Sequence, residues 1–293
     1  MLGTARADEV AGEEIIVGPS DGVLSLWDYR DPVLERQLET RLEGIGLAKP
    51  IADRKVSVAL VDLTDFWQPR VATVNGDVML YAASLPKIAI LLAAFQRAAA
   101  GELDLDPTTL SLMLNMIRRS SNTAATTMMQ RVGKSYIADV LRSPRYKLYD
   151  PMHNGGLWAG KDYGAAGLWE RDPLHNLSHG ATAMQVARFY YLLETGRLIS
   201  KRASQAMMDI MSKPAIPHKF VKAIRTAFPQ ANLYRKSGTW RDFHADSAIV
   251  EHDGKRYIMV ALSHDPRGES WLQQVALAAD ALIAPVAVAL RAP

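Results

Sequence analysis

The sequence predicts an α+β fold in which both ends of the chain build one antiparallel sheet and the middle forms a helical domain. Three observations carry this. β-rich runs occur at 55–63 and 69–78 and return at 232–240, 245–252 and 255–264. Helical spacing of apolar residues dominates between Ser84 and about Phe228. A chain of 293 residues, 48% apolar and 22% charged, has ample material for a core, which excludes global disorder.

Taken in order, residues 1–30 have weak periodicity and read as a surface arm. Ala5-Arg6-Ala7 stands before an acidic stretch and looks like the end of a cleaved export signal whose apolar part is missing. The expectation is a bacterial protein exported to the periplasm or medium. Asp31-Pro32 opens a helix with Val33, Leu34, Leu38 and Leu42 on one face, and Gly44 and Gly46 end it. The runs 55–63 and 69–78 pair as a meander, with Asn75-Gly76 as a turn signal. Helices are expected at 84–100, 108–119, 122–132, 134–142, 183–195, 200–212 and 218–227. Gly101, Gly133 and Gly196 sit where helices would stop. The stretch 143–182, rich in Gly, Pro, His and Asn, is long enough to be a functional loop. Asp253-Gly254 makes a hairpin of the last two strands, and a helix over about 269–290 closes the chain. Residues 31–83 and 229–293 thus form a discontinuous sheet domain flanked by N- and C-terminal helices, with 84–228 as the helical domain.

Composition removes several function classes. The formal net charge is +3 and the basic residues are scattered in pairs, such as Arg118 with Arg119, so nothing tracks a nucleic-acid backbone. No stretch could span a bilayer: residues 88–95 are too few, and Asp280 and Pro285 interrupt 275–290. Cysteine is absent, which removes disulfides and thiolate chemistry.

The chemistry begins at "YAASLPKIAI" (81–90). Ser84 and Lys87 are three apart at a helix start, so the amine and the hydroxyl share a face where free N–H groups favour developing negative charge. That is what a serine nucleophile with a lysine base requires. S-x-x-K alone is weak, since a chain this long holds about one by chance, and a capping serine with a snorkelling lysine would look the same. Ser120-Ser121-Asn122 joins two helices, where hydroxyl and amide could relay a proton and hold a carbonyl, or simply cap a helix. Lys236-Ser237-Gly238-Thr239 lies on an edge-like strand. Its glycine permits close backbone approach, its N–H groups can face a carbonyl, and Lys236 suits an anionic group.

In this order and context the three motifs resemble the penicillin-recognising serine hydrolases, the serine β-lactamases and D,D-peptidase penicillin-binding proteins. The resemblance covers nearly the whole chain and is most similar to class A β-lactamases through "SSNTAAT" and "ATAMQVARFYYLLETGRLIS". It implies a β-lactamase/transpeptidase-like fold and a hydrolase reacting through a Ser84 acyl-enzyme. Lys87 would be its base and Ser120 the relay to the leaving nitrogen. Asn122 would hold the substrate's side-chain amide, while Lys236 and Ser237 would bind its carboxylate. The backbone N–H groups of Ser84 and Thr239 would form the oxyanion hole. Substrates would be β-lactams or peptidoglycan-like amides and esters, with no metal or organic cofactor. Related readings are a D,D-peptidase or esterase, or a binding module without turnover.

The resemblance departs in two places. From Ser84 to Ser120 is 36 residues, much less than class A enzymes have, and the missing piece would form one wall of the cleft, so a more open site is expected. Class A enzymes carry a loop glutamate followed at a fixed short interval by asparagine, and here the stretch is "GLWERDPLHNLSHGATAM". Glu170, beside Trp169, lies six residues before Asn176; Asp172 has the four-residue spacing but a shorter side chain. Glu170 is the expected deacylating carboxylate, Asp172 its alternative, and β-lactam turnover is expected to be weak. His175 and His179 have a metal-like spacing, but Pro173 and Gly180 indicate a loop with no third ligand. His244 and Asp246 either line the cleft or make a turn.

Overall fold

The computed structural model describes residues 25–66, 68–164 and 169–284, so the Ala5-Arg6-Ala7 triplet and residues 285–290 of the expected last helix lie outside them. After a short 3-10 turn (Leu26–Tyr29), α1 (Pro32–Gly44) begins where Asp31 accepts hydrogen bonds from the Val33 and Leu34 amides at 2.8 and 3.1 Å. Leu34, Leu38 and Leu42 are its buried face. A short α2 (Ala48–Ala52) leads into β1 (Val56–Asp62), which pairs with β2 (Arg70–Val74). The second strand is shorter than its sequence run, because Asn75 turns the chain at φ 54°. Then come β3 (Leu80–Tyr81) and α3 (Lys87–Ala99).

Every residue of α3 from Lys87 to Phe95 is buried, which is why the helix is apolar all round. Around it pack α4 (Pro107–Arg118), α5 (Asn122–Val132) and α6 (Lys134–Arg142). Asp106 caps α4 through the Thr109 amide and Ser121 caps α5 through the Ala124 amide. The irregular stretch holds short strands: β4 (Tyr149–Asp150), β5 (Gly155–Gly156), β6 (Trp158–Ala159) and β7 (His179–Ala181). β7 lies between β3 and β6, which ties this segment to the approach to α3. Helices α7 (Ala183–Glu194), α8 (Lys201–Met211) and α9 (Phe220–Ala227) follow. The chain returns through β8 (Asn232–Trp240), β9 (Phe243–His252) and β10 (Lys255–His264) to α10 (Gly268–Asp280).

The main sheet has the order β2-β1-β10-β9-β8, all antiparallel, so strands from both ends meet at β1 and β10. Period-two alternation feeds two cores. Val58, Leu60, Tyr257 and Met259 pack with α1, α9 and α10, while Ala59, Val61, Ile258 and Val260 pack toward α3 and α7. Burial of each large side chain is worth about 1.5–3 kcal/mol, so a slip of one residue in register would forfeit both faces at once. The α/β class and antiparallel sheet expected from sequence are those observed. β8 is an edge strand, and its free side faces the start of α3.

Candidate active site

The turn between β3 and α3 presents Ser84. Ala83 is held at φ 50°, a region costly for a residue with a Cβ, and Pro86 rather than Ser84 caps the helix. Ser84 is therefore half-buried just ahead of the helix mouth, and its hydroxyl has no hydrogen bond among the described residues. Lys87, one turn on, is fully buried. Its Nζ donates to the Ser120 carbonyl at 2.6 Å and to Asn122 Oδ1 at 2.9 Å, and lies 4.5 Å from the Tyr163 ring centre. No carboxylate is among these partners. Burial pulls the Lys87 pKa down to about 7, so much of the amine is neutral at neutral pH.

Ser120 connects α4 to α5 at φ 57°, again strained for a non-glycine residue. Its carbonyl accepts from Lys87 and its hydroxyl from Lys236 Nζ at 2.9 Å, so one residue bridges the two amines. Lys236 also donates to the Ser237 carbonyl at 2.6 Å. Burial, and then the neighbouring Lys87 charge, push the Lys236 pKa well below its ordinary value. An incoming anion would favour the charged form of Lys236.

Strand β8 runs against the serine turn. A Cβ added to Gly238 would stand 2.1 Å from the Ala82 carbonyl and 2.9 Å from the Ser84 nitrogen, so only glycine allows this approach. The two-residue turn Arg241-Asp242 closes the β8–β9 hairpin, with Trp240 opposite Phe243 and Thr239 opposite His244. Hydrogen-bonded and non-bonded pairs alternate from a closing pair that is bonded, which turns the Thr239 N–H away from β9 to the free edge. Ser237 Oγ lies 3.2 Å from His218 Nε2, and burial holds that imidazole neutral with a pKa of about 4.

Sequence reasoning missed what lies behind this strand. Lys219, at φ 50° and fully buried, donates to the Gly238 carbonyl at 2.6 Å, Thr239 Oγ1 at 2.7 Å and the Ala245 carbonyl at 3.2 Å. Arg235 and Asp246 form a buried ion pair at 2.6 Å, and Asp246 also accepts the Phe220 amide. Asp246 is thus part of the strand's support, not of a turn. His244 is buried beneath the start of α10, where Gly268 leaves it room. The alternation of β8 and the helical reading of 218–227 gave no sign that Lys219 points inward.

The far wall is aromatic. The Tyr163 ring stacks on His179 with centres 4.2 Å apart and planes 6° apart. Burial takes the His179 pKa to about 3 and raises that of Tyr163, so both are neutral beside Lys87. His175 does not join His179; its Nε2 meets the Asn154 carbonyl at 3.1 Å.

Glu170 requires a correction. Its backbone is stapled in place, the N–H to the Gly160 carbonyl at 3.0 Å and the carbonyl to Trp158 Nε1 at 3.1 Å. Its carboxylate instead reaches the surface, where its partner among the described residues is Arg142 at 3.4 Å. With its backbone held at Gly160 and Trp158, Glu170 has an exposed side chain. Asp172 is buried but occupied: it accepts the Tyr149 hydroxyl and the Leu174, His175 and Leu177 amides at 2.7–3.1 Å, which organises the loop. Ser84, Lys87, Ser120, Asn122 and Lys236 converge with the Ser237–Thr239 strand; Glu170 does not join them.

Known proteins bear on this arrangement. The model of the Beta-lactamase enzyme family matches residues 37–112 and 107–290. The chain belongs to the beta-lactamase enzyme family. No curated protein matches the sequence. Among solved structures it is similar to a β-lactamase from Sphaerobacter thermophilus, with TM-score 0.64, 18% identity, and coverage of 85% of this chain and 99% of that one. A class A β-lactamase from Bacteroides cellulosilyticus gives TM-score 0.64, 13% identity, and 85% and 98% coverage. The structure named PBP-A gives TM-score 0.63, 17% identity, and 85% and 95% coverage. At these identities the likeness is one of fold.

Proposed function

We propose that the protein is an exported serine hydrolase that forms an acyl-enzyme at Ser84 with β-lactams or related amides and esters, and that releases β-lactam products slowly. The observation that carries this reading is Lys87: a buried amine with a pKa of about 7, one turn from Ser84, with no carboxylate partner for the amine and no hydrogen bond to the Ser84 hydroxyl among the described residues.

The substrate carboxylate would be held by Lys236 and Ser237 Oγ, its side-chain amide by Asn122. The scissile carbonyl would sit between the Ser84 and Thr239 N–H groups. Neutral Lys87 accepts the Ser84 proton as Oγ attacks, and the oxyanion is stabilised by the two N–H donors. Ser120, hydrogen-bonded to Lys236, passes a proton to the leaving nitrogen. Deacylation then needs a water beside a base. A base misplaced by about an ångström costs about a hundredfold, roughly 3 kcal/mol of barrier, and Glu170 is engaged with Arg142 instead. This orientation favours a penicillin-binding reading over efficient β-lactam hydrolysis. Intact-protein mass spectrometry with a panel of β-lactams tests it: an adduct confined to Ser84 is expected, and absence of any adduct with the whole panel would defeat it.

A further inference from the structure

Behind the cleft, Lys219 is a buried cation that none of the steps above uses. Its side chain crosses from the start of α9 to the hairpin of β8 and β9 and places its amine on the Gly238 carbonyl. That carbonyl and the Thr239 N–H belong to one planar peptide group and point in opposite directions. The carbonyl faces Lys219, and the N–H faces the free edge beside Ser84. A charged donor on the oxygen withdraws electron density from the nitrogen, leaving the N–H a stronger donor. It also fixes the plane of the peptide, as does the second bond from the same amine to Thr239 Oγ1.

We infer that Lys219 is a positioning residue that polarises and orients the Gly238–Thr239 peptide, so that the Thr239 N–H binds an oxyanion more strongly. The inference rests on reading that N–H as an oxyanion donor. Lys219 itself touches no substrate. Its backbone geometry agrees with a built device: φ 50° and ψ −121° are costly for lysine and are retained where the side chain must turn inward.

The effect depends on charge. The groups facing Lys219 are Arg235 and Lys236 on β8, Asp246 and His244 on β9, Glu269 on α10 and its neighbour His218. Burial lowers its pKa to about 8, with Asp246 opposing that shift. Acylation should therefore rise as Lys87 loses its proton near 7 and fall again as Lys219 loses its own near 8.

The test uses two readouts on the full chain. In amide correlation spectra of the free protein, the Thr239 proton should move upfield as pH rises through Lys219's transition, and Lys219→Met should abolish that movement. For acylation by a chromogenic cephalosporin, Lys219→Met should lose the alkaline limb and fall by about tenfold at neutral pH, a fraction of the loss for a deleted oxyanion donor. A Thr239 proton that ignores pH in the wild type overturns the inference even if Lys219→Met folds poorly. An alkaline limb that persists in Lys219→Met assigns it to another group, Lys236 first, and equally overturns it. If no β-lactam acylates the wild type, the hydrolase reading fails while the spectra still decide on Lys219.

Discussion

Between α3, α5 and β8, two buried amines have no carboxylate among their hydrogen-bond partners in the described residues, and burial pushes both toward neutrality, with Asp246 opposing this at Lys236. In the segment from Gly160 to Ser178 the arrangement is reversed. Asp172 is buried under four hydrogen bonds, and Glu170 faces solvent with Arg142. In the first region the amines are left without an acidic hydrogen-bond partner; in the second Asp172 organises the loop, Asp162 pairs with Lys134 at 2.9 Å and Glu170 with Arg142. On the proposed reading, acylation needs only the first region, and fast deacylation needs a carboxylate free to hold a water, whereas Asp162, Glu170 and Asp172 are each engaged elsewhere. The two half-reactions should therefore respond to mutation very differently.

The comparison breaks hardest at Ser84. Ser84→Ala should leave the fold intact and abolish labelling by a fluorescent penicillin; residual labelling would show a second nucleophile. Next comes Lys87. As a neutral amine it cannot be replaced by arginine, so Lys87→Arg should be as damaging as Lys87→Ala, each about 10²–10⁴-fold on acylation. The sign of the pH dependence follows from its lowered pKa: the competent form is deprotonated, so the rate should increase through about 7 and decline on acidification. Lys236→Arg should be milder, since a positive charge is retained. Acylation rates of the three variants and a pH profile check this.

Gly238→Ala tests the close approach of β8. Its Cβ would clash with the Ala82 carbonyl at 2.1 Å, so the oxyanion site should open and acylation should drop by about a hundredfold. Smaller effects belong to the loop. Asp172→Ala leaves the Tyr149 hydroxyl and loop amides unpaired and should lower stability by about 1–3 kcal/mol, read as a lower Tm. Glu170→Gln should change neither acylation nor deacylation by more than about twofold, because an exposed pair such as Glu170–Arg142 is worth little. A large slowing of deacylation in that variant would show that the loop rearranges in the acyl-enzyme.

What could be read from sequence divides along the same line. Ser84, Ser120 and Lys236 stand in short motifs whose local spacing nearly determines their geometry, and the fold brings them together. β1, β8, β9 and β10 were legible because their alternation reflects two cores. Lys219 was not, since a lysine between strand and helix reads as solvated unless the distant carbonyls of Gly238 and Ala245 are known. The Tyr163–His179 stack depends on Thr126 of α5 holding the Tyr163 backbone and on His179 pairing with Ala159, contacts no local pattern announces. Glu170 misled because motif likeness gives the residue type, whereas backbone bonds to Gly160 and the Trp158 side chain, not visible in the motif, set where it lies.

The most direct measurement follows the mass of the intact protein after a brief exposure to penicillin and removal of free drug. The account predicts a single adduct at Ser84 that forms quickly and persists, unaffected by Glu170→Gln. An adduct that forms and vanishes as fast as in an efficient β-lactamase, or one whose loss is blocked by Glu170→Gln, would contradict it.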